Sequence, residues 1–356
     1  MRLIRGLHNL PRFEKPTAVT IGNFDGVHLG HQRIIQSIRE AANARDFLSL
    51  VVVFEPQPLE YLQPGRAPAR LTPLHEKIKY LAKEKIDYLL CLYFNEELTN
   101  ISPQAFIDDI LIKRLNMRYL CVGEDFRFGF KREGDLALLK KAAKNDDFDL
   151  VVTETIALGD ERISSTQIRD ALFKADFSHA AELLGRPYSF GGRVQRGDQR
   201  GRLLGFPTAN IALKHDKLVL SGVFAVIVCL AELDLQLDVF GASRRSVLPI
   251  HEDSVRSKSN NDADSITRGI ELQSHDCYYG VANIGTRPTI NDGSKQKLEV
   301  YLFDFNGDLY GQRLNILFRH KIRDEQRFDN LDALKSQIQQ DVVAAKIFFQ
   351  METHND

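Results

Sequence analysis

The 356-residue chain is long enough for two domains, and its 43% hydrophobic and 27% charged residues supply both cores and a solvated surface. That composition excludes a disordered or collagen-like chain. Lys and Arg number 47 against 48 Asp and Glu, so no global charge draws the chain to nucleic acid or to anionic membranes.

Cys91, Cys121, Cys229 and Cys277 lie far apart without a CxxC spacing. They are read as neither a zinc site nor a disulfide framework, in keeping with a reducing cytoplasm. Residues 1–16 lack the apolar run of a signal peptide, and the longest apolar stretch, 223–230, is too short to span a bilayer.

Residues 17–21 form a β-branched, apolar run ending at Gly22, which predicts a buried strand. A Gly-punctuated turn covers 22–30. Ile34, Ile35, Ile38, Ala41 and Ala42 then recur at helical spacing through 32–44. A second buried strand is expected at 47–54. Helical patterns at 75–85, 103–115 and 136–144 alternate with strands at 88–94, 119–122 and 150–153. This alternation predicts a parallel sheet covered on both faces, a Rossmann-like α/β domain over 1–185. Short helices at 164–173 and 177–184 close it, and Gly185-Arg186-Pro187 breaks the pattern.

Beyond that break, strands at 188–194, 222–229, 278–283, 297–303 and 313–318 are joined by Gly, Pro and Asn turns. Few helices intervene, so residues 186–356 are expected to form a small antiparallel β-barrel. A last helix carries Leu331, Leu334, Ile338, Val342 and Ala345 on one face. Residues 231–276 lose the period and are expected to be a flexible insertion, because they bury too little surface to offset their ordering entropy.

The densest signal is Gly22-Asn23-Phe24-Asp25-Gly26-Val27-His28-Leu29-Gly30-His31, at a strand end and a helix start. Free N–H groups and the helix dipole favour a phosphate there, and Gly26 and Gly30 allow close backbone approach. His28 and His31 bracket Gly30, so two imidazoles can stabilise charge developing on an α-phosphate as pyrophosphate leaves. A tight turn with incidental histidines is the competing reading. Ser164-Ser165-Thr166-Gln167-Ile168-Arg169 places hydroxyls at a helix start and an arginine one turn inside. An ordinary serine N-cap competes with a triphosphate-holding role.

In the second half, Gly197, Gly201 and Gly205 recur every four residues ahead of Phe206-Pro207-Thr208-Ala209-Asn210. A glycine loop can wrap a nucleotide, and Thr208 and Asn210 offer neutral oxygens to a magnesium–phosphate complex. A Gly-rich hairpin is the alternative. Glu299 lies on the strand face opposite Leu298, Val300 and Leu302, flanked by Tyr301 and Phe303, and an exposed strand glutamate is its bland counterpart.

The first two strings resemble the nucleotidyltransferase superfamily. Phe54-Glu55-Pro56-Gln57-Pro58 and Gly123-Glu124-Asp125-Phe126-Arg127-Phe128-Gly129 narrow that resemblance. With them the first half looks like the FMN adenylyltransferase module of bifunctional prokaryotic FAD synthetase. The resemblance implies ATP binding by Gly22, Asn23, Phe24, Gly26, His28, Gly30, His31, Ser164, Ser165, Thr166 and Arg169. It implies a flavin pocket bordered by Phe54, Pro56, Pro58, Asp125, Phe126 and Phe128, with core packing as the alternative for Phe126 and Phe128. Gly205-Phe206-Pro207-Thr208-Ala209-Asn210 resembles the riboflavin kinase barrel, as do Ala282-Asn283-Ile284-Gly285-Thr286-Arg287-Pro288-Thr289 and the strand around Glu299.

By that match Gly197, Gly201, Gly205, Pro207, Thr208 and Asn210 hold ATP, and Thr208 and Asn210 hold Mg2+. Glu299 takes the proton of the riboflavin 5′-hydroxyl. Arg323 holds flavin or phosphate, with a surface salt bridge as the alternative. Tyr301 stands where the family often carries His, and the 231–276 insertion exceeds the family's usual hairpin. The implied chemistry converts riboflavin to FMN and FMN to FAD with Mg-ATP in the cytoplasm, without nucleic-acid or membrane partners. Oligomeric state is not read from the sequence. The rivals are a nucleotidyltransferase with another acceptor and a non-catalytic flavin- or nucleotide-binding regulator.

Overall fold

A computed structural model describes residues 1–154, 157–158, 161–197, 205–213, 217–230, 238–240, 277–287 and 295–354. The first sheet contains β1 (Arg2–Arg5), β2 (Thr17–Ile21), β3 (Leu48–Glu55), β4 (Tyr88–Tyr93), β5 (Met117–Gly123) and β6 (Asp149–Thr153). Every pairing in it is parallel. Alternate residues face two apolar layers: Val19, Leu50, Val52 and Leu120 one way, Ala18, Val51, Val53 and Cys121 the other. One layer is closed by α1 (Leu29–Arg45) and by α3 (Leu74–Lys83), of which only α3 follows the short α2 (Pro58–Leu62).

The other layer is closed by a π-helical stretch, Phe106–Arg114, and by α6 (Leu136–Asp146). That stretch continues α5 (Pro103–Ala105), itself preceded by α4 (Glu96–Thr99). A uniform helix over 103–115 was the sequence expectation. β1, with four residues, is too short to show a period in the sequence.

With β12 (Asp238–Phe240) at one edge, the strand order β12-β1-β4-β3-β2-β5-β6 places β3 and β5 on opposite sides of β2. The chain winds one way from β2 to β4 and the other way from β5. The carboxyl end of β2 is therefore a topological switch point, where open α/β sheets bind ligands. The edge strand β12 (Asp238–Phe240) pairs with β1 and lies within the expected insertion. The rest of that insertion, 231–237 and 241–276, lies outside the described residues.

After the hairpin β7 (Ala157–Leu158) and β8 (Glu161–Arg162) come α7 (Ser165–Phe173) and α8 (Phe177–Leu184), capped by Gly185 at φ 70. A closed antiparallel barrel follows, in the order β10-β14-β13-β11-β15-β9. Its strands are β9 (Ser189–Gln195), β10 (Thr208–Ile211), β11 (Gly222–Leu230), β13 (Cys277–Arg287), β14 (Lys295–Leu302) and β15 (Arg313–Arg323). Phe224, Val226, Ala282, Leu298, Val300 and Ile316 share one apolar cluster with α7 and α8. The opposite face, with Ala225, Ile227 and Val281, packs under the last helix, α9 (Leu331–His354), through Ala345 and Phe349.

Cys229 and Cys277 are cross-strand partners on β11 and β13 and form a disulfide. This overturns the expectation of no disulfide: a separation of 48 residues hides a pairing that the antiparallel register brings directly opposite. Cys91 and Cys121 are free and buried.

Candidate active sites

At the switch point, His28 is the N-cap of α1: its Nδ1 accepts from the His31 N–H at 3.3 Å. A neutral ring accepting at Nδ1 carries its proton on Nε2, ready to donate to an anion. Gly30 permits this fold-back, since a Cβ there would lie 3.1 Å from the His28 ring. The His28 and His31 rings stack with centroids 3.6 Å apart, as the H-x-G-H spacing on one helical turn requires. Burial, then the cations Arg186 and Arg169, pull the His28 pKa down to about 4. His31 is lowered in the same direction, chiefly by burial.

The two sequence strings meet at Asp25. Its buried carboxylate accepts from the Leu71 and Thr72 backbone N–H groups at 3.1 Å and pairs with the Arg169 guanidinium. Arg169 also donates from Nε to the Ala69 carbonyl at 2.7 Å, and the Ser165 hydroxyl donates to the Asp25 carbonyl at 2.9 Å. Ser164 is indeed the N-cap of α7, while Thr166 and Asn23 are exposed. Phe24 is 2% exposed, so any contribution it makes to a ligand is through its backbone.

Phe54, Phe94 and Tyr61 form an edge-to-face row, with Tyr61 half exposed. Pro56 follows a cis peptide bond and Pro58 begins α2. Phe128 is buried in the core against Phe106, with Phe126 stacked on it; core packing accounts for Phe128. Asp125 is exposed, 3.6 Å from Arg162, rather than enclosed between aromatic rings.

In the barrel, Gly197, Pro207, Thr208 and Asn210 line a cavity of about 390 Å3 together with Asp308 and Tyr310. A Cβ on Gly197 would stand 2.3 Å from the Asn210 carboxamide, so the loop and that side chain form one cradle. Glu299 does not line this cavity, but the register sets it between Asn210 on β10 and Asn283 on β13. Gly205 has φ 89, and Gly201, Pro288 and Thr289 lie outside the described residues. Arg323 makes a forked pair with the buried Asp341 at 2.8 Å, which fastens β15 to α9.

The FAD synthetase family model matches residues 10–167, and the riboflavin kinase family model matches 184–349. The bifunctional riboflavin kinase/FMN adenylyltransferase of Escherichia coli K12 is 43% identical over 98% of both chains. The one from Pseudomonas fluorescens is 42% identical over 99% of this chain and 100% of its own. The chain belongs to this family of bifunctional flavin enzymes. A solved structure titled a macrolide-efflux protein from Streptococcus pneumoniae matches with a TM-score of 0.71 and 25% identity. It covers 97% of this chain and 99% of that one, so the whole two-part fold is shared. No described helix is long and apolar enough to cross a membrane.

Several charged residues around the phosphate turn are not evident from the sequence. Asp25 lies inside the Gly22–His31 string without a role legible there, because its partner Arg169 is 144 residues away. Lys77 is fully buried on α3, and burial lowers its pKa against the pull of Asp25. Arg186 followed a helix end and read as part of a break. The signal for Lys77 was its place in an apolar helix face, where an ammonium is costly.

Proposed function

We propose that the two reactions are divided between the halves near Gly185, the barrel making FMN and the parallel-sheet half making FAD. The register that sets Glu299 beside Asn210 supports the first assignment. Glu299 takes the proton of the riboflavin 5′-hydroxyl as that oxygen attacks the γ-phosphate of ATP. The cradle of Gly197, Pro207, Thr208 and Asn210 holds the nucleotide. Thr208 and Asn210 fit Mg2+, because a hard ion that keeps its waters and phosphate oxygens needs few protein ligands. No group of three His, Cys, Asp or Glu suited to a metal occurs among the described residues. Mg2+ held by Thr208 and Asn210 would supply positive charge to offset that of the phosphates. The carboxylate and the cradle do the rest.

The meeting of His28, His31 and α7 at the switch point carries the second assignment. The FMN phosphate attacks the α-phosphate of a second ATP and pyrophosphate leaves. The attacking oxygen is already anionic, so alignment and charge stabilisation suffice without a protein nucleophile. His28, kept neutral by burial, supplies an N–H donor to the phosphates. Arg169 and the Ser164, Ser165 and Thr166 hydroxyls hold the phosphates. The flavin lies along Phe54, Pro56 and Pro58 with Phe126, and Asp125 marks the rim. Arg323 acts on the kinase side by anchoring α9. Both reactions consume ATP, which supports a cytoplasmic setting for them.

Paired substitutions test the division. His28→Asn keeps a side chain able to cap α1 and removes the imidazole. It is expected to cut FAD formation from FMN at least 100-fold and leave FMN formation within twofold. Glu299→Gln is expected to do the reverse. Equal loss of both activities in either folded variant contradicts the division.

A further inference from the structure

Arg186, immediately after the Gly185 cap, reaches back into the phosphate turn. Its Nη2 donates to the Gly26 carbonyl at 2.5 Å, and its Nη1 donates to the Val27 carbonyl at 3.2 Å and the Leu184 carbonyl at 3.3 Å. The guanidinium lies 3.7 Å from the centroid of the Tyr80 ring on α3. The Tyr80 hydroxyl and the Ser189 hydroxyl share a hydrogen bond of 3.0 Å, and Ser189 opens the first barrel strand. His75 on α3 also meets the Gly191 carbonyl of that strand at 2.9 Å. A continuous set of contacts thus joins β9 to the turn.

The turn needs a hold of this kind. Phe24, Gly26 and Val27 have φ of 46, 86 and 43, and a β-branched residue is costly in that region. A peptide unit is planar, so a captured carbonyl fixes the N–H on its other side. Holding the Gly26 and Val27 carbonyls therefore fixes the Val27 and His28 N–H groups, and with them the start of α1. Lysine has no fork to span two carbonyls and no plane to lie on Tyr80.

We propose that Arg186 is a positioning residue for FMN adenylylation, clamping the carbonyl side of the phosphate turn and tying its geometry to the docked barrel. The inference rests on the assignment of that turn to the adenylylation site. Misplacement by about 1 Å costs on the order of 100-fold in rate. His28 is faced by the cations Arg186 and Arg169 and by the stacked His31, which Lys77 faces in turn. Removing one cation moves the imidazole pKa upward.

The test uses full-length Arg186→Met, Arg186→Lys, Tyr80→Leu and His28→Asn, each assayed for FMN adenylylation and for riboflavin phosphorylation. Arg186→Met is expected to lose at least about 30-fold in adenylylation kcat/KM, with phosphorylation within twofold. Its acid limb in the kcat/KM profile should also move to higher pH. Arg186→Lys keeps the charge and the limb but does not restore the rate. Tyr80→Leu, which leaves Arg186 in place, loses several-fold in adenylylation alone.

Near-wild-type adenylylation by Arg186→Met, beside an inactive His28→Asn, overturns the inference and leaves the site assignment standing. So does full rescue by lysine, or an equal loss of both activities in Arg186→Met and Tyr80→Leu. An active His28→Asn overturns the site assignment itself.

Discussion

His28 caps a helix and is held neutral by burial and two guanidiniums, so its protonation is linked to folding. In the unfolded chain the imidazole takes its proton near 6.5, and in the folded chain near 4. Between those values the unfolded state binds the extra proton. Stability therefore falls as pH drops from 6.5 towards 4, by roughly 3 kcal/mol at most from this group. His31 acts in the same direction. Urea denaturation across that window should show the loss, and a smaller loss in His28→Asn. Equal acid slopes in both proteins contradict the linkage.

At this scale the sequence disclosed chemistry but not partners. The H-x-G-H spacing and Arg169 one turn into α7 were legible, because both are local. The carboxylate that unites them was not, since Asp25 meets Leu71, Thr72 and Arg169 through the fold.

Single elements carry two further consequences. The Gly197 loop and β10 make one cradle, so Gly197→Ala forces Asn210 aside. Riboflavin phosphorylation should fall about tenfold or more while FMN adenylylation holds, as measured on one preparation. Unchanged phosphorylation contradicts the cradle. The Arg323–Asp341 pair fastens α9, and Asp341→Ala leaves a guanidinium without its partner against the barrel. A stability loss of about 3 kcal/mol is expected, read by denaturant midpoint.

Strand and helix periods located most of these elements. Their ends depended on contacts that a period does not contain. α1 begins at Leu29, earlier than 32, because a histidine serves as its cap. β13 runs from Cys277 to Arg287, beyond 278–283, because β11 pairs with its start and β14 with its end. The Cys229–Cys277 bond was invisible for a related reason: register, not spacing, makes two cysteines neighbours.

Across the whole molecule, α7 and α8 serve both halves. Their apolar faces share a cluster with the barrel interior, while Ser165 and Arg169 bond the phosphate turn. The sequence placed this helix pair with the parallel sheet, since nothing in a helical period names the surface that it covers. The change from alternating helices and strands to turn-linked strands was legible because it follows composition. The packing of one half on the other was not.

The central claim is that one chain performs two successive transfers at two sites. Its direct measurement is a time course of the purified protein with riboflavin and Mg-ATP, resolving riboflavin, FMN and FAD by chromatography. FMN should appear first and FAD follow from it, with supplied FMN converted to FAD without a lag. A protein that retains flavin yet forms neither product, from riboflavin or from supplied FMN, would contradict the account.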